Sequence, residues 1–447
     1  MTQPVLRDIP RNIERFPELH PAFDSQAALV EANRCLYCYD APCTSACPTH
    51  IDVPRFIKKI AGGNLRGSAR TILDANILGL SCSRVCPVDV LCEGSCVLHR
   101  YNQQPIEIGR LQRYAMDWFY TGHAESAASP GNGAAVAVRP ASVACIGGGP
   151  ASLACAAELR RHGYAVTIFD NRPLPGGLNT YGVAEYKLRP SDSLREVAMI
   201  ESMGVKFRQI EVGRGVSLED LENEFDLIFV GAGLGAMERL GIPGEERPEV
   251  IDALQFIAHY KTSHDVEVGR IVVVIGGGNT AIDAANAARR LGADEVHIFY
   301  RRTEREMPAF RFEYEHAKVE GVQFHWLAQP VEILERAVKF VSTELGPADA
   351  SGRRKALPVR GTEFAFVCDM VIPAVGQSPL VKLLERTRGI GLQHGCIVVD
   401  RPTGQTANPR YYAGGDCVNG GREVVDAVAD GKRAALAMTR RLEAHGG

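Results

Sequence analysis

Two hydropathy rhythms divide the chain. Up to about residue 120, apolar positions recur at helix-like spacing in short stretches such as "VPRFIKKIAGGNLRGSARTIL", which predicts a small α-helical module. Beyond residue 141 the rhythm becomes a short apolar run, a glycine turn, an amphipathic stretch and a second apolar run, and each such set predicts one βαβ unit. "SVACIGGGPASLACAAELRRHGYAVTIFD" is the first set, and "RIVVVIGGGNTAIDAANAARRLGADEVHIFYRR" (270–302) repeats it. The chain closes on "YYAGGDCVNGGREVVDAVADGKRAALAMTRRL", which reads as a strand, a glycine turn and a long helix. Between the two rhythms "TGHAESAASPGNGAAVAVRPA" (121–141) offers no periodic apolar face and reads as a linker. The expected fold class is α/β, with two Rossmann-like dinucleotide-binding domains preceded by an α-helical domain. Expected boundaries are 1–125 for the helical domain, 141–260 and 371–447 for the two parts of the first dinucleotide domain, and 261–370 for the second.

Composition narrows the field. With 447 residues, 45% hydrophobic and 23% charged, the chain has material for two or three cores. A net charge of -3, from 50 basic and 53 acidic residues with no basic tract, argues against nucleic-acid binding. The opening "MTQPVLRDIPRNIERF" carries charges where a signal peptide needs an apolar core, and no run of about 20 apolar residues follows that could span a bilayer. The expected location is the cytoplasm, with no membrane contact.

Thirteen cysteines are unevenly placed: eight fall between Cys35 and Cys96, while Cys145, Cys155, Cys368, Cys396 and Cys417 read as small core residues. In a reducing compartment the dense eight point to metal or redox chemistry rather than disulfides. Cys35, Cys38, Cys43 and Cys47 follow C-x2-C-x4-C-x3-C-P, and Cys82, Cys86, Cys92 and Cys96 follow C-x3-C-x5-C-x3-C with Pro87 after Cys86. Structural zinc commonly takes four ligands from two separated C-x2-C knuckles; two tight groups, each with a Cys-Pro, suit two [4Fe–4S] clusters better. As in bacterial ferredoxins, the last cysteine of one group can ligate the other cluster. Two zinc sites, or plain buried cysteines, are the alternatives.

Both glycine turns carry the dinucleotide pattern. In Gly147-x-Gly149-x-x-Ser152 the first glycine makes the tight turn, the second lets backbone approach a pyrophosphate, and the third small residue lets helix meet strand. Pro150 and Ala151 open the helix whose N-terminal amides would hold the pyrophosphate. Asp170, 23 residues after Gly147, ends the next strand, where an acid binds ribose hydroxyls. The second turn is Gly276-x-Gly278-x-x-Ala281, with Asn279 and Thr280 opening its helix. No acid ends its second strand; Tyr300-Arg301-Arg302 stands there, and a guanidinium pairs with a 2′-phosphate, which favours NADPH over NADH. A solvated strand end is the plainer reading, and Glu304 nearby keeps NADH open. His99, His162, His297, His316 and His325 are scattered and read as surface or satisfied histidines, so no catalytic side chain is assigned. Hydride transfer between two bound dinucleotides needs stacking and alignment rather than a protein base.

"PGGLNTYG", with Gly176, Gly177 and Leu178, and "AGGD", with Gly414, Gly415 and Asp416, resemble the FAD contacts of two-dinucleotide flavoproteins. There the late aspartate reaches the ribityl-phosphate side of the flavin. Ala374, Val375 and Gly376 in "IPAVGQ" resemble the crossover strand that returns the chain to the FAD domain beside the nicotinamide.

The whole arrangement resembles the N-terminal part of dihydropyrimidine dehydrogenase and the small subunit of glutamate synthase. The resemblance implies Cys35, Cys38, Cys43 and Cys96 on one cluster and Cys47, Cys86 and Cys92 on the other, leaving Cys82 spare. In dihydropyrimidine dehydrogenase a glutamine completes the second set, and "IEIGRLQRYAMDW" supplies Gln112 at the matching distance after Cys96. Glutamate synthase small subunits typically have a glutamate there, and exchanging carboxylate for amide changes the cluster's net charge and its potential. On its own sequence Gln112 reads as a helix-surface residue. Lys187 in "AEYKLRP" matches a basic FAD contact of the dehydrogenase and otherwise reads as a surface lysine. Neither an FMN-binding (β/α)8 barrel nor a C-terminal ferredoxin-type repeat is recognisable. The resemblance thus implies a split-gene electron-input subunit, passing electrons from NAD(P)H through FAD and two [4Fe–4S] clusters to an FMN-containing dihydropyrimidine dehydrogenase catalytic subunit (PreA type) in a heterotetramer. Uracil or thymine would be reduced there. The alternatives are a glutamate synthase small subunit and, from another class, a nucleotide-binding iron–sulfur redox sensor without turnover.

Overall fold

The computed structural model describes residues 16–122, 139–263, 266–349, 352–380, 383, 387 and 389–445. Most of the linker expected at 121–141, and all but the last residue of the N-terminal stretch read against a signal peptide, lie outside the described residues. The chain divides into two units. The first comprises Glu18–Thr180, Lys187–Leu234 and Pro379–Gly447; the second comprises Tyr181–Tyr186 and Gly235–Ser378, with residues 16–17. Among the described residues no helix is long and apolar enough to cross a membrane.

In the first unit, caps and prolines set the helix ends. Asp24 accepts the Ala27 N–H at 2.7 Å and starts α1 (Ser25–Asn33), and α2 (Pro42–Ala46) opens on a proline. Asp52 accepts the Arg55 N–H at 3.1 Å to start α3 (Val53–Ala61), and Asn64 accepts the Gly67 N–H at 2.8 Å to start α4 (Leu65–Ala75). Two further helices, α5 (Gly79–Val85) and α6 (Ile108–Tyr120), complete the module. Both α2 and α5 stop at a cysteine followed by proline. Proline disfavours helical backbone in the residue before it, and Cys47 and Cys86 are extended, with ψ of 120° and 132°.

The same unit holds a parallel five-stranded sheet made of β1 (Ser142–Ile146), β2 (Ala165–Asp170), β3 (Lys206–Gln209), β4 (Leu227–Val230) and the late strand Tyr411–Ala413. Its order is Tyr411–Ala413, β4, β1, β2, β3, with Val143 opposite Leu227 and Cys145 opposite Ile168. Strands such as β4, "LIFV", are apolar throughout because helices cover both faces of a parallel sheet. α7 (Pro150–Arg161) follows the first glycine turn and packs against the terminal helix Val424–His445.

The cysteine-bearing module and the sheet share one hydrophobic core. Phe56, Leu111 and Phe119 of the module belong to the same buried cluster as Leu153, Tyr164, Val428 and Met438. Full burial of each such side chain is worth about 1.5–3 kcal/mol. Polar ties reinforce the junction. Glu196, on α8 (Pro190–Ser202), accepts the N–H groups of Leu80 at 2.8 Å and Ser81 at 3.1 Å, and the Ser81 hydroxyl. Arg84 pairs with Asp117 at 2.5 Å and Asp192 at 3.2 Å.

The second unit repeats the sheet design with four parallel strands: β5 (Ile271–Ile275), β6 (Glu295–Tyr300), β7 (Gln323–Trp326) and β11 (Met370–Pro373), in the order β11, β5, β6, β7. α9 (Asn279–Leu291) follows the second glycine turn and ends at Gly292, whose φ of 115° lies where side chains are disfavoured. An antiparallel meander of β8 (Ala328–Leu334), β9 (Ala337–Ala348) and β10 (Arg354–Val367) is added before β11. The segments that open and close this unit pair with each other: Gly235 N–H meets Ser378 O at 2.6 Å and Ser378 N–H meets Ala236 O at 2.8 Å.

Candidate redox sites

Cys35, Cys38, Cys43 and Cys96 line a single pocket whose other walls are aliphatic, among them Val53, Ile57, Ile106 and Ile108. Three of these thiols come from the first cysteine group and the fourth from the second. Tyr37, inside the C-x2-C loop, has φ of 51° and turns the backbone sharply, so that its N–H faces the Cys35 sulfur; the Thr44 N–H faces Cys43 likewise. Burial pushes the Cys43 thiol up to about 12 and raises Cys35, with neighbouring thiols adding to both. Four thiols in an apolar pocket, with backbone amides aimed at two of the sulfurs, become thiolates only when metal replaces the protons. The donor set fits an iron–sulfur cluster.

The other thiols gather separately. Cys82, Cys92 and Cys47 surround Cys86, and Cys47 is also a neighbour of Cys92; burial raises the thiol pKa of Cys92, and contact with Cys82 followed by burial raises that of Cys86. Cys82 is fully enclosed. Gln112, on α6, is 8% exposed and not the helix-surface residue its sequence context suggests. Its Nε2 donates to the Gly79 carbonyl at 2.8 Å, one helical turn from Cys82 on α5. A carbonyl only accepts, so this bond takes up the amide nitrogen and leaves Oε1 as the end of the side chain able to accept or ligate. Among the described residues no three His, Cys, Asp or Glu side chains converge closely enough to hold a single metal ion. Glu93, beside Cys92, went unremarked in the sequence. Burial pushes its carboxyl up to about 7 while its Oε1 accepts the Gly109 N–H at 2.9 Å.

At the first glycine turn, side chains are excluded by contact. Gly147 has φ of 92°, and a Cβ on it would stand 2.6 Å from the Gly231 carbonyl. Gly149 caps α7, Pro150 begins it, and a Cβ on Gly177 would stand 2.8 Å from the Gly149 Cα, so the "PGGL" motif with Leu178 presses on the turn. Gly415 closes the group: its Cβ would meet that of Ala151 at 3.0 Å. Ser152 is buried and its hydroxyl has no hydrogen-bond partner. Asp170 accepts the Gly148 N–H at 2.5 Å and the Arg172 N–H at 2.7 Å, so its carboxylate braces the turn. Asp416 accepts the Arg422 N–H at 3.2 Å, and burial raises its pKa. Lys187 is half-buried in the segment leading to α8. A cradle of bare backbone at a helix N-terminus fits a pyrophosphate.

The second turn is built alike. A Cβ on Gly276 would stand 2.2 Å from the Ala374 carbonyl, which brings Ala374, Val375 and Gly376 over the turn, and Gly277 lies against the Tyr300 ring. Gly278 caps α9, Thr280 and the buried Ala281 lie in its first turn, and Asn279 accepts the Phe310 N–H at 2.9 Å. The two arginines part company. Arg301 is exposed, whereas Arg302 is 8% exposed, its Nε has no hydrogen-bond partner, and its guanidinium has no ion pair among the described residues. Glu304 is engaged by Arg311 at 2.5 Å and by the Tyr314 hydroxyl at 3.1 Å. Of the scattered histidines, His297 is satisfied in the core between His325 at 3.0 Å and Glu295 at 3.1 Å.

Residues 12–124 match the family model described as dihydropyrimidine dehydrogenase domain II, 4Fe-4S cluster, and residues 141–431 match that of pyridine nucleotide-disulphide oxidoreductase. The chain is 37% identical to the glutamate synthase [NADPH] small chain of Escherichia coli, over 97% of this chain and 95% of that one. It is 35% identical to the NAD-dependent dihydropyrimidine dehydrogenase subunit PreT of Escherichia coli, over 95% of this chain and 97% of that one. It spans only 66% of the oxidoreductase AegA of Escherichia coli, at 37% identity over 94% of this chain. Among solved structures, FprA from Mycobacterium tuberculosis aligns with a TM-score of 0.57 at 21% identity, over 69% of this chain and 86% of that one, a likeness of fold. The cofactors of this oxidoreductase are iron–sulfur clusters, FAD and NAD(P)H.

Proposed function

The chain belongs to the pyridine nucleotide-disulphide oxidoreductase family and carries a dihydropyrimidine dehydrogenase 4Fe-4S domain ahead of it, and from that premise we propose that it is the electron-input subunit of a dihydropyrimidine dehydrogenase. When bound, FAD supplies the exchange between the hydride of NAD(P)H and single electrons, which iron–sulfur clusters carry onward. The residues of this chain bind and align these groups. Cys35, Cys38, Cys43 and Cys96 hold one cluster, and Cys47, Cys86, Cys92 and Gln112 the other. Gly147, Gly149 and Ser152 take the FAD pyrophosphate, with Asp170, Gly177, Lys187 and Asp416 beside it. Gly276, Gly278 and Ala281 take NAD(P)H, and Arg302 takes a 2′-phosphate, which favours NADPH. The recipient is an FMN-containing catalytic subunit that reduces uracil or thymine to the 5,6-dihydropyrimidine, in a cytoplasmic heterotetramer.

The Gln112 amide carries the pyrimidine reading. Its nitrogen donates to the Gly79 carbonyl; a glutamate carboxylate at that place would set two acceptors against each other at the same 2.8 Å separation. Turnover of NADPH or NADH with ferricyanide, without any pyrimidine, is expected from the purified chain, and its absence with both nucleotides ends the proposal. Co-purification followed by uracil-dependent NAD(P)H oxidation identifies the recipient. The extent of likeness to the glutamate synthase small chain favours a second reading, and capture of a glutamate synthase large chain decides for it.

A further inference from the structure

A cleft of about 600 Å³ opens in the first unit between α3, α4 and the terminal helix, and none of its lining residues belongs to the cysteine pocket or to either glycine turn. Its charge is lopsided. Arg55, Lys59, Arg70 and Lys432 line it against Asp52 and Asp74, in a chain whose net charge is -3. The acids do little to offset the cations. Asp52 is committed to capping α3 through the Arg55 N–H at 3.1 Å, and Asp74 reaches Arg70 only at 3.9 Å.

Lys59 donates to the Gly67 carbonyl at 3.0 Å and to Thr71 Oγ1 at 2.6 Å, and Lys432 to the carbonyls of Asp74 at 2.7 Å and Ala75 at 3.2 Å. An ammonium has three N–H groups, and among the described residues two of them find an acceptor in each lysine. Arg55 makes no ion pair among the described residues. Thr49 and Thr71, each 9% exposed, also line the wall, but their hydroxyls are engaged, Thr49 with the Cys47 sulfur at 3.3 Å and Thr71 with the Gly67 carbonyl at 2.9 Å and Lys59 at 2.6 Å. Burial lowers the pKa of both lysines, and the Arg55 charge adds to the effect on Lys59, while Asp74 and Asp52 at Lys59 and Glu158 and Asp74 at Lys432 only partly oppose it.

We propose that this cleft binds a small phosphorylated metabolite, with Arg55 and Arg70 forking onto phosphate oxygens and Lys59 and Lys432 neutralising them. Planar guanidinium forks match phosphate geometry and ammonium groups add point charge. The volume is larger than one phosphate fills and lies within the roughly 300–1,000 Å³ of small-molecule sites, so the ligand carries an organic body as well.

Inorganic pyrophosphate is the probe. Titrated calorimetrically into the full chain loaded with FAD and clusters, it is expected to bind saturably and more weakly as salt rises. Affinity falls by about tenfold or more in Arg55→Glu and in Arg70→Glu, the loss of one charge-assisted contact. Both side chains are exposed, so NADPH–ferricyanide turnover stays at the parent level and reports an intact fold. Arg302→Ala binds pyrophosphate like the parent; loss of binding there moves the anion to the dinucleotide turn and overturns the proposal. Absence of saturable binding, or unchanged affinity in both charge reversals, overturns it equally. Succinate binding as tightly as pyrophosphate overturns the phosphate assignment.

Discussion

The two glycine turns start from the same template and finish with opposite charge. β1 and β5 are both five residues long with one half-buried and four buried positions, and β2 and β6 are both six residues long. Each first glycine lies under a carbonyl from a neighbouring strand end, Gly231 in one unit and Ala374 in the other. The residues that follow differ: Asp170 spends its carboxylate on the turn's own amide, whereas the buried Arg302 has no hydrogen-bond partner for its Nε and no ion pair among the described residues. Apolar periodicity therefore builds the unit, and the residues at the end of the second strand decide what it can hold. The contrast extends to protonation. Burial raises Glu196 to about 8 in the first unit, while hydrogen bonds from Arg311 and Arg290 lower Glu304 and Glu320 in the second.

The largest expected effect sets turn against turn. Gly147→Val yields protein without flavin absorbance, whereas Gly276→Val keeps flavin and cluster absorbance but is no longer bleached by NAD(P)H; flavin loss in the second variant breaks the comparison. Next, Arg302→Ala raises the KM for NADPH by roughly ten- to a hundredfold, the value of a hydrogen bond to a charged group, and leaves the KM for NADH unchanged. Asp170→Asn speeds FAD release only a few-fold, measured by recovery of flavin fluorescence, because the amide oxygen still accepts one of the two N–H groups.

The smallest effect is a pH slope. Glu196 has a folded pKa above its ordinary value of 4.5. Stability linked to it is complete below that value and is lost as pH rises through about 8. Glu304 and Glu320 are lowered, so the stability they contribute is present above 4.5 and is lost as pH falls. Trp118 lies in the first unit and Trp326 in the second, the only two tryptophans of the chain. Thermal melts followed by Trp118 in the Trp326→Phe variant decline between pH 5 and 8, and Glu196→Gln flattens them; an unchanged slope refutes the assignment.

The features legible in the sequence are those with local causes. Glycine at a positive φ under a carbonyl leaves no choice of residue, and Cys-Pro ends a helix wherever it occurs, so the turns and the cysteine spacing announced themselves. Long-range partners stayed hidden. Glu196 is 1% exposed because Leu80 and Ser81, more than a hundred residues earlier, donate to it, and nothing in its neighbouring sequence marks that. Gln112 was picked out by resemblance alone, since its burial depends on α5. The meander was missed for another reason: β10 buries none of its fourteen residues, so no alternating apolar face marks it as a strand.

The interior common to the cysteine module and the sheet has a kinetic consequence. Tunnelling probability falls exponentially with the gap between donor and acceptor, and a joint that breathed would scatter transfer rates widely. A close-packed shared interior resists compression and opening, so on the proposed electron path it would hold that gap constant. Transfer along the proposed path would then be limited by arrivals and departures at the surface, with solvent viscosity leaving the internal hop untouched.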